Sequence, residues 1–257
     1  MAPRQSQSGE RREPRRRQPN INVTIMNILW IGYGKMGEPM AARAAAAGHT
    51  VQVSDMSRER CDAARANDLE VVAITPESAG QADVILTSLP NDAAALQLLA
   101  GVTSALSHVR AGALLIETST ISASASASIA NIAQARGIGY VRGPVSVSVS
   151  GSVTAAANGA LTTFLSGAHD AIEQARPIVG AYASNLVVVG DAEQARTMKL
   201  AINLMVTTLV ASLCEAYTLC TKGCIEAGTA CVTRPKHSSA ATSRRRSPWR
   251  RCARTFS

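Results

Sequence analysis

The 257-residue sequence predicts a doubly wound α/β fold with a mainly parallel sheet, followed by a long helix. Three observations predict it. Through residues 27–190, short β-branched runs alternate with Ala-rich helical stretches, the pattern of successive βαβ units. A glycine-rich turn joins the first run to the first helical stretch. After Asp191, some thirty residues pass without a helix breaker until Gly223.

The predicted strands are Ile28–Ile31, Thr50–Val53, Val84–Thr87, Ala113–Ile116, Ile138–Val141, Leu161–Leu165 and Leu186–Val189. Between them lie predicted helices at Met36–Ala47, Arg58–Ala66, Asp92–Leu99, Ala123–Arg136 and Ala168–Val179. Gly48 and Gly137 stand where helix C-termini need a left-handed residue. The long helix is expected from about Ala192 to Lys222, with Asp191 as N-cap and Gln194 three residues on. At 1.5 Å per residue it would span roughly 45 Å. Its apolar residues, among them Met198, Ile202, Met205, Leu209, Leu213 and Tyr217, go most of the way around. Such a helix expects cover on several sides.

Composition narrows the function. The net charge of +8 sits in the ends: residues 1–26 carry +4, residues 223–257 carry +7, and the middle carries −3. The predicted domain therefore offers no basic face to nucleic acid, and eight aromatics are too few for a base-stacking platform. Residues 1–26 read as a disordered basic extension and residues 224–257 as an irregular basic tail. The Arg-rich start lacks the apolar core of a signal peptide, so a cytoplasmic protein with reduced thiols is expected. Cys220-x3-Cys224 is a poor zinc spacing, and no metal is expected. Lys199, Asn203 and Glu215 interrupt the apolar stretch Met198–Cys220, which reads as too polar to span a membrane.

The turn itself is Gly32-Tyr33-Gly34-Lys35-Met36-Gly37, between a predicted strand and a predicted helix. That context makes it a dinucleotide-binding fingerprint: Gly32 for the tight turn, Gly34 for close approach to a pyrophosphate, Gly37 for helix–strand packing. The helix N-terminus supplies N–H groups to the phosphates. Asp55 closes the second strand, where a carboxylate accepts from both ribose hydroxyls and repels a 2′-phosphate. This favours NAD over NADP. Arg58, three residues on, is the group that would serve the phosphate instead.

Together with four further motifs, this turn resembles the β-hydroxyacid dehydrogenase family, the 3-hydroxyisobutyrate dehydrogenase-like group related to 6-phosphogluconate dehydrogenase. The motifs run from Gly32 to Met40, Asp83 to Asn91, Glu117 to Ser122, Gly143 to Ser146, and Lys199-x3-Asn203. The resemblance covers Met26 to about Lys222. It implies a Rossmann domain, a long interdomain helix and an all-α C-terminal domain that also forms a homodimer. It implies that Leu89, Pro90 and Asn91 cover the adenosine side of NAD(P), and that Ser119 and Thr120 lie near the nicotinamide ribose. Lys199 would be the catalytic lysine and Asn203 the residue that orients a small β-hydroxy acid or its semialdehyde. The chemistry asks for these types independently. Hydride leaves a carbon only as its hydroxyl proton departs, and a partly desolvated lysine can take that proton. Asn203, four residues on, shares its helix face. An imine reductase-like activity is the related alternative, and Lys199 argues against it. A nucleotide-binding protein without turnover is the other.

Two departures stand out. The family's carboxylate-binding Asp-Ala-Pro-Val-Ser-Gly is Arg142-Gly-Pro-Val-Ser146 here, with a repeated Val-Ser before Ser150-Gly151. Ser146 keeps the Pro-Val neighbour, while Ser150 keeps the glycine and is narrowly favoured for the substrate carboxylate. Nothing after about Glu226 resembles the family's helical domain, which is expected to be incomplete. An Arg/Ser/Pro-rich run beginning inside a helical domain is what a reading-frame shift would produce, and Met26 is expected as the natural start. Homodimerisation, which in the family depends on that domain, is not expected to carry over.

Overall fold

In a computed structural model, the chain is described over residues 24–101, 104–146 and 152–223. The expected tails 1–23 and 224–257, and the residues Ser150 and Gly151, lie outside them.

Six parallel strands form the centre: β1 (Asn27–Ile31), β2 (Thr50–Ser54), β3 (Glu70–Val71), β4 (Val84–Thr87), β5 (Leu114–Glu117) and β6 (Gly139–Arg142). Their spatial order is β3-β2-β1-β4-β5-β6. The sheet continues through β7 (Val145–Ser146) and β8 (Leu161–Ser166), which pair antiparallel, and β9 (Ala183–Gly190), which pairs parallel with β8. Every residue of β4 and β5 is buried. Their runs Val-Ile-Leu-Thr and Leu-Leu-Ile-Glu are nearly continuous in apolar character because both faces are covered.

The two faces belong to separate apolar clusters. Ile28 and Trp30 of β1 pack with Met40 and Ala44 of α1 (Gly37–Ala46) and Ile172 and Ile178 of α7 (His169–Val179). Leu29 and Ile31 point the other way, as alternation requires. They join Ala79 of α3 (Pro76–Gln81), Leu99 of α4 (Asp92–Ala100) and Ile129 of α5 (Ala123–Ala135). The expected doubly wound architecture is therefore present. Every expected strand and helix occurs, with ends shifted by three residues or fewer. Gly48 and Gly137 have φ of +97° and +67°, as their cap positions require.

Among the described residues five elements escaped the sequence pattern: β3, α3, a 3₁₀ turn at Ala105–Ser107, β7 and α6 (Ser152–Ala157). Each is six residues or shorter, too short to set up a period. Thr75 and Ser78 nonetheless form a capping box at α3, with Pro76 at its first position.

The long helix, α8, runs Gln194–Lys222. Its start corrects the expected cap. Gln194 is the first helical residue, not the third, and its Oε1 accepts from the Ala192 N–H at 2.8 Å. Ser166 Oγ, from β8, donates to the Ala192 carbonyl at 2.6 Å and accepts from the Ala195 N–H at 3.3 Å. The cap comes from a strand remote in sequence. The chain divides into two compact units, Met1–Leu204 and Met205–Ser257, so the first turns of α8 belong with the α/β unit. In the second unit Met205, Leu209, Leu213, Tyr217 and Leu219 are exposed among the described residues. The helix is also less polar than expected. An 18-residue window within α8 has a mean hydropathy of 1.5, so by length and composition alone the helix is apolar enough to cross a membrane.

Candidate active site

The strand order reverses between β1 and β4, the place where open α/β sheets bind ligands beyond their C-terminal strand ends. A cleft of about 610 Å³ opens there. It brings together Gly32, Gly34, Lys35 and Met36 from the turn after β1, Asp55 from the end of β2, and Leu89 and Pro90 from the loop after β4. Ile74, Ala94 and Leu98 add apolar wall.

The turn is built to admit a pyrophosphate. Gly32 has φ +95°, and a Cβ there would sit 2.3 Å from the Ser88 carbonyl oxygen. A Cβ on Gly37 would sit 2.0 Å from the Gly32 carbonyl oxygen, so turn and helix meet at backbone distance. Gly34 differs: a Cβ there would meet nothing within 4 Å, and the space it would occupy is the cleft itself. The helices α2 (Arg58–Ala66), α3, α4 and α5 are capped by the side chains of Ser57, Thr75, Asn91 and Ser122. At α1, Met36 supplies no side-chain cap. The Glu38 N–H is taken by the Gly34 carbonyl at 2.9 Å and Pro39 has none, so the Gly37 N–H and the positive end of the helix dipole are what α1 offers an anion. The residues present fit a dinucleotide.

Asp55 is fixed before any ligand arrives. Its Oδ2 accepts from the Tyr33 N–H at 2.7 Å and its Oδ1 from the Ser57 N–H at 2.8 Å. Both oxygens keep lone pairs for ribose hydroxyls. Tyr33 keeps its side chain out of the cleft lining. It is fully buried, its hydroxyl accepting from Asn67 Nδ2 at 3.0 Å, so only its backbone serves the turn. Beside Lys35, the arginine that lines the cleft is Arg60, not the expected Arg58, and it lies 3.5 Å from Glu38. Both stand in the first turn of α2, where Arg58 is exposed and Arg60 half-buried against the cleft. Asn91 caps α4, its Oδ1 accepting from the Ala94 N–H at 2.9 Å. Thr120 is exposed beside the buried Ser119, whose Oγ accepts from the Leu89 N–H at 2.7 Å.

Lys199 and Asn203 fall on one face of α8, and Lys199 is half-buried. Burial pushes its ammonium below the usual lysine range, the direction general-base work requires. Ser146 lies on β7, opposite Thr162 of β8, and is half-buried.

Two buried ion pairs went unforeseen. Arg142, which stands where the family has an acid, is paired with Glu193 just before α8 and stacks over the Tyr140 ring at 4.4 Å. Three residues on, Arg196 pairs with Glu117 at the end of β5, and both are essentially inaccessible to water. Arg142 was the one available signal, an unpaired charge inside an apolar segment. Arg196 and Glu117 are 79 residues apart and nothing local links them.

Residues 27–190 match the family profile described as the NAD binding domain of 6-phosphogluconate dehydrogenase. The chain belongs to the β-hydroxyacid dehydrogenase family. Among relatives of that family, it is 30% identical over 194 residues to 2-(hydroxymethyl)glutarate dehydrogenase of Eubacterium barkeri, covering 76% of this chain and 63% of that protein. It is 30% identical over 192 residues to human mitochondrial 3-hydroxyisobutyrate dehydrogenase, covering 75% and 56%. A solved Mycobacterium tuberculosis 3-hydroxyisobutyrate dehydrogenase with L-serine superposes with a TM-score of 0.73 at 28% identity, covering 80% of this chain and 68% of that one. An imine reductase from a Pseudomonas species, at 18% identity and TM-score 0.68, shares the fold. The chain spans 56% to 63% of the length of these two curated relatives. The stretch matched to the family profile is the NAD-binding domain, residues 27–190.

Proposed function

We propose that the chain is an NAD(P)-dependent oxidoreductase that moves a hydride between the nicotinamide and a small β-hydroxy acid or its semialdehyde. The observation that carries this is the cleft at the strand-order reversal, with Gly34 open to it and α1 uncapped. In this reading the cofactor, when bound, supplies the hydride acceptor or donor. The turn at Gly34 and the positive N-terminal end of α1 bind its pyrophosphate, Asp55 its ribose, and Leu89, Pro90 and Asn91 cover its adenosine side. Asp55 supports NAD as the preferred form, since a 2′-phosphate would meet its charge, while Arg60 is already engaged by Glu38.

Lys199 takes the hydroxyl proton of the substrate during oxidation and returns it during reduction. Asn203 orients the same oxygen, and Thr120 flanks the nicotinamide side. Ser150 with Gly151, or Ser146, holds the substrate carboxylate. The retained Lys199 supports hydroxy-acid chemistry over imine reduction. A soluble cytoplasmic setting goes with this reading.

Thermal unfolding without ligand, with NADH and with NADPH tests it. A transition raised more by NADH than by NADPH, and β-hydroxy acid oxidation that is lost in Lys199→Ala, are the expected results. A transition that ignores both nucleotides defeats the proposal. Nucleotide binding with no turnover on a panel of β-hydroxy acids would leave a nucleotide-binding protein.

A further inference from the structure

A guanidinium taken out of water is costly unless nearly all its donors are satisfied. Arg196 meets that demand with partners that share one purpose. Its Nη1 donates to the Ser119 carbonyl at 2.6 Å, its Nη2 to Glu117 Oε2 and to the Tyr140 hydroxyl at 3.3 Å, and its Nε to Ser126 Oγ at 3.3 Å. Glu117 Oε1 in turn accepts from the Ser119 N–H at 2.9 Å. Residue 119 is therefore gripped at both its amide and its carbonyl by the two halves of one ion pair. Its hydroxyl passes the restraint on to the Leu89 N–H of the cleft.

The other end of the restraint is α8. Arg196, Lys199 and Asn203 follow at spacings of three and four, one stripe along the helix. The face pinned to the 117–119 loop is thus the face that carries Lys199. The Arg142–Glu193 pair and the Ser166 cap also hold the start of α8. Arg142 is the strand neighbour of Glu117, but its guanidinium is bonded to Glu193, and Ser166 to residues 192 and 195. Arg196 is bonded to residues 117 and 119 themselves. An apolar pair of similar volume would hold helix to sheet about as well. A planar guanidinium adds a fixed rotation of the helix against one peptide group.

We propose that Arg196 is a positioning residue: with Glu117 it sets the register of the turn carrying Lys199 against the Ser119–Thr120 loop, and so aligns the proton acceptor with the nicotinamide end of the cleft. This rests on the reading of Lys199 as the group that moves the proton.

Arg196→Lys keeps the charge and loses the fork, and Glu117→Gln/Arg196→Met removes the pair without leaving a lone charge. Both are measured in the full chain for cooperative unfolding, NADH affinity, kcat and KM. Acylation of Lys199 by a small activated ester, scored by mass spectrometry against the exposed Lys222, reports alignment without turnover. The expected result is kcat down by roughly tenfold or more, with KM and NADH affinity within about threefold, and a clearly altered Lys199-to-Lys222 labelling ratio. A folded variant with wild-type kcat and wild-type labelling overturns the proposal. So does a fall in NADH affinity as large as the fall in kcat, because the pair would then act as general scaffolding. If neither variant folds, the pair is a stability element and the proposal is likewise overturned. Should the unmodified chain oxidise no β-hydroxy acid, the functional reading fails on its own. The labelling ratio then decides the pair, altered in support and unaltered against.

Discussion

Gly34 and Gly37 are the same residue type three positions apart, and they are glycines for opposite reasons. At Gly37 there is no room, and a Cβ would overlap the Gly32 carbonyl oxygen. Gly37→Ala should cost about 1–3 kcal/mol or more in chemical denaturation, because backbone must shift to make space. At Gly34 there is only the open cleft, so Gly34→Val should leave the unligated unfolding midpoint nearly unchanged while removing most of the stabilisation by NADH. Lys199→Ala should lower kcat by roughly 10²–10⁴, the usual worth of a positioned acid–base group. The sign of its pH dependence follows from its burial. The ammonium is destabilised, so Lys199 loses its proton at lower pH than an exposed lysine. Oxidation needs the neutral amine: kcat should fall as pH drops through the lowered pKa and level off above it, while reduction runs the other way. A flat oxidation profile across that limb would remove Lys199 from the proton path.

Between elements, the junction of sheet and long helix depends on charge in an apolar setting. Arg142 is buried near the end of β6 and holds Glu193, whose second oxygen is buried without a protein partner. Arg142→Ala should therefore cost about 3–5 kcal/mol, since a carboxylate is left without its cation. The paired change Arg142→Met/Glu193→Met should recover most of that loss. A double-mutant cycle by urea unfolding measures the difference. Had the arginine been a surface residue by chance, each single change would fall within about half a kcal/mol.

For the molecule as a whole, the notable surface is the stretch of α8 beyond Leu204. Met205, Leu209, Leu213 and Leu219 are each more than half exposed, far more apolar surface than scattered single residues present. Light scattering should report association that grows with protein concentration. Leu209→Glu/Leu213→Lys, an oppositely charged pair one turn apart, should reduce it while keeping the helix.

Much of this was legible along the chain. Parallel strands buried on both faces announce themselves as short β-branched runs, and Val84–Thr87 and Arg58–Ala66 were read to the residue. The fingerprint from Gly32 to Gly37 was legible because every part of it lies within one turn. Apart from the short helices α3 and α6 and the 3₁₀ turn at Ala105–Ser107, what was not legible depends on residues distant in sequence. β3 and β7 are strands only because a neighbour supplies their hydrogen bonds. The N-terminus of α8 is decided by Ser166 rather than by the local Asp191. Arg60 replaces Arg58 in the cleft because helix rotation, not sequence distance, selects which side chain turns inward. The sequence by itself determined the alternation of elements, the place of the phosphate turn and the residue types for proton transfer. Only the tertiary structure decided that Glu117 and Arg196 meet, because a buried charge pair has no local pattern and exists only where the fold removes water from both partners.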